Sequence, residues 1–107
     1  MLTININQIY ILHMKYKYIY DEQKNQKLKA ERGVCFEDVI NAISDGKILE
    51  IIPHHNQVEY PNQMILIIEI DEYAYLVPYL EEKDLLILKT VFPSRKFTKL
   101  YLGVKQS

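Results

Sequence analysis

The sequence predicts an α+β fold: an antiparallel sheet of about four to five strands, two N-terminal helices packed on it, and a short C-terminal helix. Three observations predict it. Three apolar runs, Met64 to Ile70, Tyr73 to Leu80 and Leu85 to Phe92, follow one another with only two and four residues between them, and links that short join antiparallel neighbours. Ahead of them Phe36, Val39, Ile40 and Ile43 fall at i, i+3, i+4 and i+7, the spacing of a helix with one core-facing stripe. Behind them Pro93-Ser94-Arg95-Lys96 breaks the last run and opens an amphipathic segment.

The totals set bounds on function. A chain of 107 residues with 49% apolar side chains makes one globular domain, spanning 1–107, with a modest core. The net charge is −1, which argues against a protein that coats nucleic acid by bulk electrostatics. The charge is uneven, however. The 19 residues from Lys89 onward carry five basic side chains and no acidic one, which leaves −6 on the 88 before them. A local basic patch therefore remains open. The single cysteine, Cys35, cannot form a disulfide within the chain and fits a reducing cytoplasm. No apolar run approaches a membrane span, and no basic segment followed by an apolar one marks a signal peptide.

Residues 1–13 alternate loosely between apolar and amide side chains. They read either as an extra edge strand or as an extension upstream of Met14. Tyr16, Tyr18 and Tyr20 alternate with Lys15, Lys17 and Ile19, so the next segment is a strand with one aromatic face. That face is either half-buried or a platform for RNA. Asp21 caps a helix to about Arg32, and Gly33 ends it. Only Leu28 and Ala30 are apolar in that helix, so it should pack weakly and present Lys24, Asn25, Lys27, Lys29 and Arg32. The second helix runs from Phe36 to about Asp45 with Cys35 near its N-cap, where the thiol reads as structural. Ile48 to Ile52 is a short strand. The segment 53–63, Pro-His-His-Asn-Gln-Val-Glu-Tyr-Pro-Asn-Gln, is the longest loop and the natural home for site residues. Adjacent histidines in extended chain point opposite ways, so they make a poor metal pair. Pro78 has no amide hydrogen, so its strand is bulged there or its amide position faces an edge.

The residues Tyr20-Asp21-x-x-Lys24-Asn25-x-x-Leu28, then Arg32-Gly33-Val34-x-Phe36-Glu37-Asp38-Val39, then Pro93-Ser94-Arg95-Lys96-x-Thr98 carry a resemblance. In order and spacing the chain resembles, over about residues 16–102, the BrnT-like toxins of bacterial type II toxin–antitoxin systems, relatives of the RelE group of ribonucleases. The resemblance implies a compact α+β domain, an endoribonuclease that cleaves mRNA, on or off the ribosome, and stops translation, and a cognate antitoxin protein that covers the site. It implies no cofactor.

Metal-free RNA cleavage needs a base for the 2′-hydroxyl proton, an acid for the 5′-oxygen, and cations for the phosphorane. Arg95 is the candidate phosphate clamp, because a guanidinium binds two phosphate oxygens at once. His54, His55, Tyr60 and Glu81 are candidates for acid and base, and the sequence does not order them. Lys96, Lys89, Lys24, Lys99 and Tyr60 are candidates for RNA binding. The alternative reading is a non-catalytic protein-binding module on the same scaffold.

Overall fold

The computed structural model describes residues 17–103; the expectations for residues 1–13 and for Tyr16 lie outside them. In chain order the elements are β1 (Lys17–Ile19), α1 (Glu22–Arg32), α2 (Phe36–Ser44), β2 (Ile48–Pro53), β3 (Met64–Ile70), β4 (Tyr73–Glu82), β5 (Leu85–Leu88), β6 (Phe92–Pro93) and α3 (Arg95–Leu102). The class is α+β, as the sequence predicts. The sheet differs from the expectation. It has six strands in the order β1-β5-β4-β3-β2, with β6 also pairing β4. It is mixed, because β1 lies parallel to β5 with Lys17 opposite Leu85. Period two in Lys17–Ile19 identifies a strand but not its partner, and here the partner is 68 residues further on.

The expected helices form, and the sheet separates them. α1 starts at Asp21, whose Oδ1 accepts from the Gln23 N–H at 2.9 Å. It ends where Gly33, at φ 70°, donates its N–H to the Lys29 carbonyl, a left-handed position that suits glycine. α2 buries Phe36, Val39, Ala42 and Ile43. Those side chains meet Leu66, Ile68, Val77, Leu86 and Val91 in the main core. Fully burying one side chain of the size of Phe36 contributes roughly 1.5–3 kcal/mol. On the opposite face Ile65, Ile67 and Ala74 pack against Phe97 and Tyr101 of α3. The result is three layers: the helix pair, the sheet, and α3 alone.

Asn25 departs from the expectation that α1 presents it to solvent. It is fully buried. Its Nδ2 donates to Glu37 Oε1 at 2.7 Å, and its Oδ1 accepts from the Phe36 N–H at 2.6 Å. A polar side chain therefore fastens α1 to the first turn of α2, where an unmet backbone N–H would otherwise be buried. Tyr18 and Tyr20 pack against the main core, and Tyr20 stacks on Phe36 at 4.9 Å. Tyr18 and Tyr20 are thus half-buried against the core, the first of the two readings of that face.

The last apolar run is two strands, not one. β4 pairs β5 with Tyr79 opposite Leu88, and pairs β6 with Leu76 opposite Phe92. Between them Thr90 and Val91 occupy the length that Val77 spans alone, which is a bulge. Pro78 is its cause. The Pro78 carbonyl accepts from the Lys89 N–H at 2.8 Å, but proline has no N–H to return the bond. The ladder opens there, and Arg32 Nη1 fills the opening by donating to the Val91 carbonyl at 2.7 Å.

Candidate functional site

On the α3 face, beside this bulge, lies a cleft of about 770 Å³. Ile52, Ile65, Leu76, Pro78 and Phe97 give it an apolar floor, and Lys24, Lys89 and Lys96 stand around it. Among the described residues no carboxylate lines it. The three lysines come from distant parts of the chain. Lys24 belongs to the first turns of α1, Lys89 opens the bulge, and Lys96 is the second residue of α3. All three are exposed, so their charges reach solvent as well as the cleft. The Lys96 ammonium lies 5.4 Å from the centre of the Phe97 ring, close enough for a cation–π attraction.

The loop from His54 to Gln63 makes the remaining wall. Its ends are joined by the His54 N–H, which donates to the Gln63 carbonyl at 2.9 Å. The Gln57 amide donates to the His54 carbonyl at 2.7 Å. Tyr60 to Gln63 is a type II turn, with Pro61 at its second position and Asn62 at φ 68° at its third. These contacts hold three rings in series. His54 lies between His55 and Tyr60, each with its ring centre 4.6 Å away. His54 is buried at 8% exposure. Its Nδ1 accepts the Asn56 N–H at 3.0 Å, so a neutral ring carries its hydrogen on Nε2. No described hydrogen bond engages His55.

Of the nine residues that sequence reasoning names, the cleft gathers six: Lys24, His54, His55, Tyr60, Lys89 and Lys96. Arg95 and Lys99 stand outside it. They are four residues apart on α3 and share an exposed face. Glu81 faces away from the cleft. It pairs Leu86 and follows Val77 and Tyr79 in the alternation of β4, which puts it on the α1/α2 side. The α3 helix is fixed by Thr98, whose Oγ1 accepts from the Ala74 N–H at 2.8 Å, and by the Tyr101 hydroxyl, which donates to Glu50 Oε1 at 2.9 Å. Burial first, then Glu50, pushes the Tyr101 phenol up.

Sequence reasoning missed Asn56, Gln57 and Gln63, which shape the loop, and Glu50, buried beneath α3 at 6% exposure. The cluster of amides in 56–63 was the available signal, since amides bond backbone groups that a loop leaves unpaired. Cys35 is structural, as expected. Its Sγ donates to Asp38 Oδ2 at 3.3 Å, and burial pushes its thiol up, away from the thiolate that a nucleophile needs.

The charge is segregated. A second groove of about 580 Å³, between the end of α2 and the β3–β4 turn, is lined by five carboxylates and one lysine. Among the described residues no three His, Cys, Asp or Glu side chains are grouped to hold a metal ion, and no helix is long and apolar enough to cross a membrane. The motif residues Asp21, Asn25, Gly33, Phe36, Glu37 and Ser94 serve as caps, clamp and core. No protein-family model, no curated protein and no solved structure matches the chain.

Proposed function

We propose that this chain is the toxin of a type II toxin–antitoxin pair: a metal-independent endoribonuclease that cuts mRNA and is neutralised by an antitoxin protein in the cytoplasm. One observation carries the reading. Three lysines and a fixed series of two imidazoles and a phenol share one cleft that contains no carboxylate. Such a lining favours a phosphodiester by charge and offers it proton-transfer groups.

In the proposed reaction the 2′-hydroxyl attacks the adjacent phosphorus as His55 removes its proton. The P–O5′ bond breaks, the 5′-oxygen takes a proton from solvent water as it leaves, and a 2′,3′-cyclic phosphate remains. His55 takes the base role because it is exposed and its nitrogens have no described partner. His54 presents Nε2–H as a fixed donor to the phosphorane, since its Nδ1 is engaged. Lys24, Lys89 and Lys96 offset the charge that develops. Arg95 and Lys99 extend the basic surface along α3 for neighbouring phosphates, and Glu81 has no part in the chemistry.

Induced expression of the wild-type chain should arrest growth and cut mRNA, and His55→Ala and Lys89→Gln should relieve both. Normal growth with abundant soluble protein would count heavily against the reading. The alternative, a non-catalytic binding module, is favoured by the engagement of His54, which leaves one uncommitted imidazole for a reaction that needs both acid and base. Intact RNA in a translating extract, together with a stable protein partner, would support that alternative.

A further inference from the structure

We infer that the cleft contains a nucleobase subsite: an unpaired purine stacks on Tyr60 and continues the ring series, while its own phosphate and the next ones along the strand meet the three lysines. The inference rests on the RNA reading above and specifies what part of the RNA the cleft takes.

The argument begins with the ring series. His55, His54 and Tyr60 lie at centroid spacings of 4.6 Å, with tilts of 22° and 37° between neighbours. Stacked rings at such spacing attract beyond their area burial. His54 has two ring neighbours and His55 and Tyr60 have one each, so the series can grow at its ends. Tyr60 is one end, and it is 38% exposed although it lines the cleft. Its backbone is held on both sides: the Tyr60 N–H donates to the Asn56 carbonyl at 2.9 Å, and its carbonyl accepts from the Gln63 N–H at 3.3 Å. With its backbone fixed and its ring against His54, Tyr60 loses less freedom than a fully mobile side chain when a ligand covers it.

The floor and the rim point to the same ligand. A bare phosphate would use the lysines and leave the half-buried Leu76 and Phe97 uncovered. A planar apolar group joined to an anion uses both. A nucleotide has that make-up, and aromatic side chains stack on any base whatever its edge pattern. Purines offer the larger face, so they should bind best.

The test measures the affinity of the full chain for adenosine 5′-monophosphate, uridine 5′-monophosphate and ribose 5-phosphate, with an unstructured oligoribonucleotide in parallel. Adenosine 5′-monophosphate should bind roughly ten-fold tighter than ribose 5-phosphate, with uridine 5′-monophosphate between them. Tyr60→Ala should erase the difference and leave ribose 5-phosphate unchanged, whereas Tyr60→Phe should keep it. Equal wild-type affinity for adenosine 5′-monophosphate and ribose 5-phosphate, with the oligoribonucleotide bound, overturns the base subsite and leaves the RNA reading standing. Failure to bind the oligoribonucleotide at all overturns both. A retained base preference in Tyr60→Ala would also refute the assignment to this ring.

Discussion

Replacing Lys89 with glutamine removes one of the three cations around the cleft, and the salt dependence of RNA binding reports the loss. On single-stranded nucleic acid, each phosphate neutralised contributes about −0.7 to the slope of log affinity against log salt. With Lys24, Lys89 and Lys96 as the contacts, the slope is about −2.1, so affinity falls roughly 18-fold between 50 and 200 mM salt. The Lys89→Gln slope is about −1.4, roughly a seven-fold fall. If Arg95 and Lys99 also neutralise phosphates, the wild-type slope steepens to about −3.5, so the same experiment measures whether α3 guides the strand. Fluorescence anisotropy of a labelled oligoribonucleotide across a salt series gives these slopes. Lys83→Gln is the control, because Lys83 is exposed in the β4–β5 turn and does not line the cleft. An unchanged slope in Lys89→Gln, or an equal loss in Lys83→Gln, would refute the assignment of the cleft as the binding surface.

Four further outcomes are expected. Asn25→Ala leaves the Phe36 N–H without its acceptor, at about 1–3 kcal/mol, read as a fall in Tm of about 4–8 °C per kcal/mol; a change of under about 0.5 kcal/mol would show that the clamp is dispensable. The Asn25 amide, ahead of the other groups around it, holds the Glu37 carboxyl down at about 2 against its ordinary 4.5. A depressed acid contributes stability that is present above its unfolded value and lost as pH falls from 4.5 towards 2, so acid titration of unfolding should be shallower in Asn25→Ala than in wild type. Changing Asp71-Glu72, at φ 52° and 64°, to Asn-Gly relieves left-handed strain in a two-residue hairpin and should add about 0.5–1 kcal/mol in urea unfolding. Arg32→Ala removes the donor to the Val91 carbonyl and should cost about 1 kcal/mol while weakening oligoribonucleotide binding more than Lys83→Gln does.

The sequence carries local structure well and long-range pairing poorly. Asp21, Gly33, Phe36 and Ser94 announce the helix ends, because capping and periodicity are properties of neighbouring residues. The parallel β1–β5 pair is invisible to that reasoning. So is Asn25, since a buried amide and a solvated one look alike until the partner, Glu37, is placed beside it. The division of Leu85 to Phe92 was foreshadowed by Pro78, but on the neighbouring strand and not within the run itself. His54, His55 and Tyr60, named from their chemistry and loop position, lie together in the cleft. Arg95 stands outside the cleft and Lys96 lines it, because helical rotation decides which member of a basic pair borders a neighbouring surface.

The alternation along β4 separates two kinds of genetic damage. Tyr75, Val77 and Tyr79 look towards α1 and α2, so substitutions there should lower the amount of folded protein. Leu76 and Pro78 look into the cleft, so mild apolar exchanges there should leave abundance near normal and alter ligand preference. A saturation scan that scores abundance and oligoribonucleotide binding separately should therefore alternate between loss of the first and loss of the second from one residue to the next along a single strand.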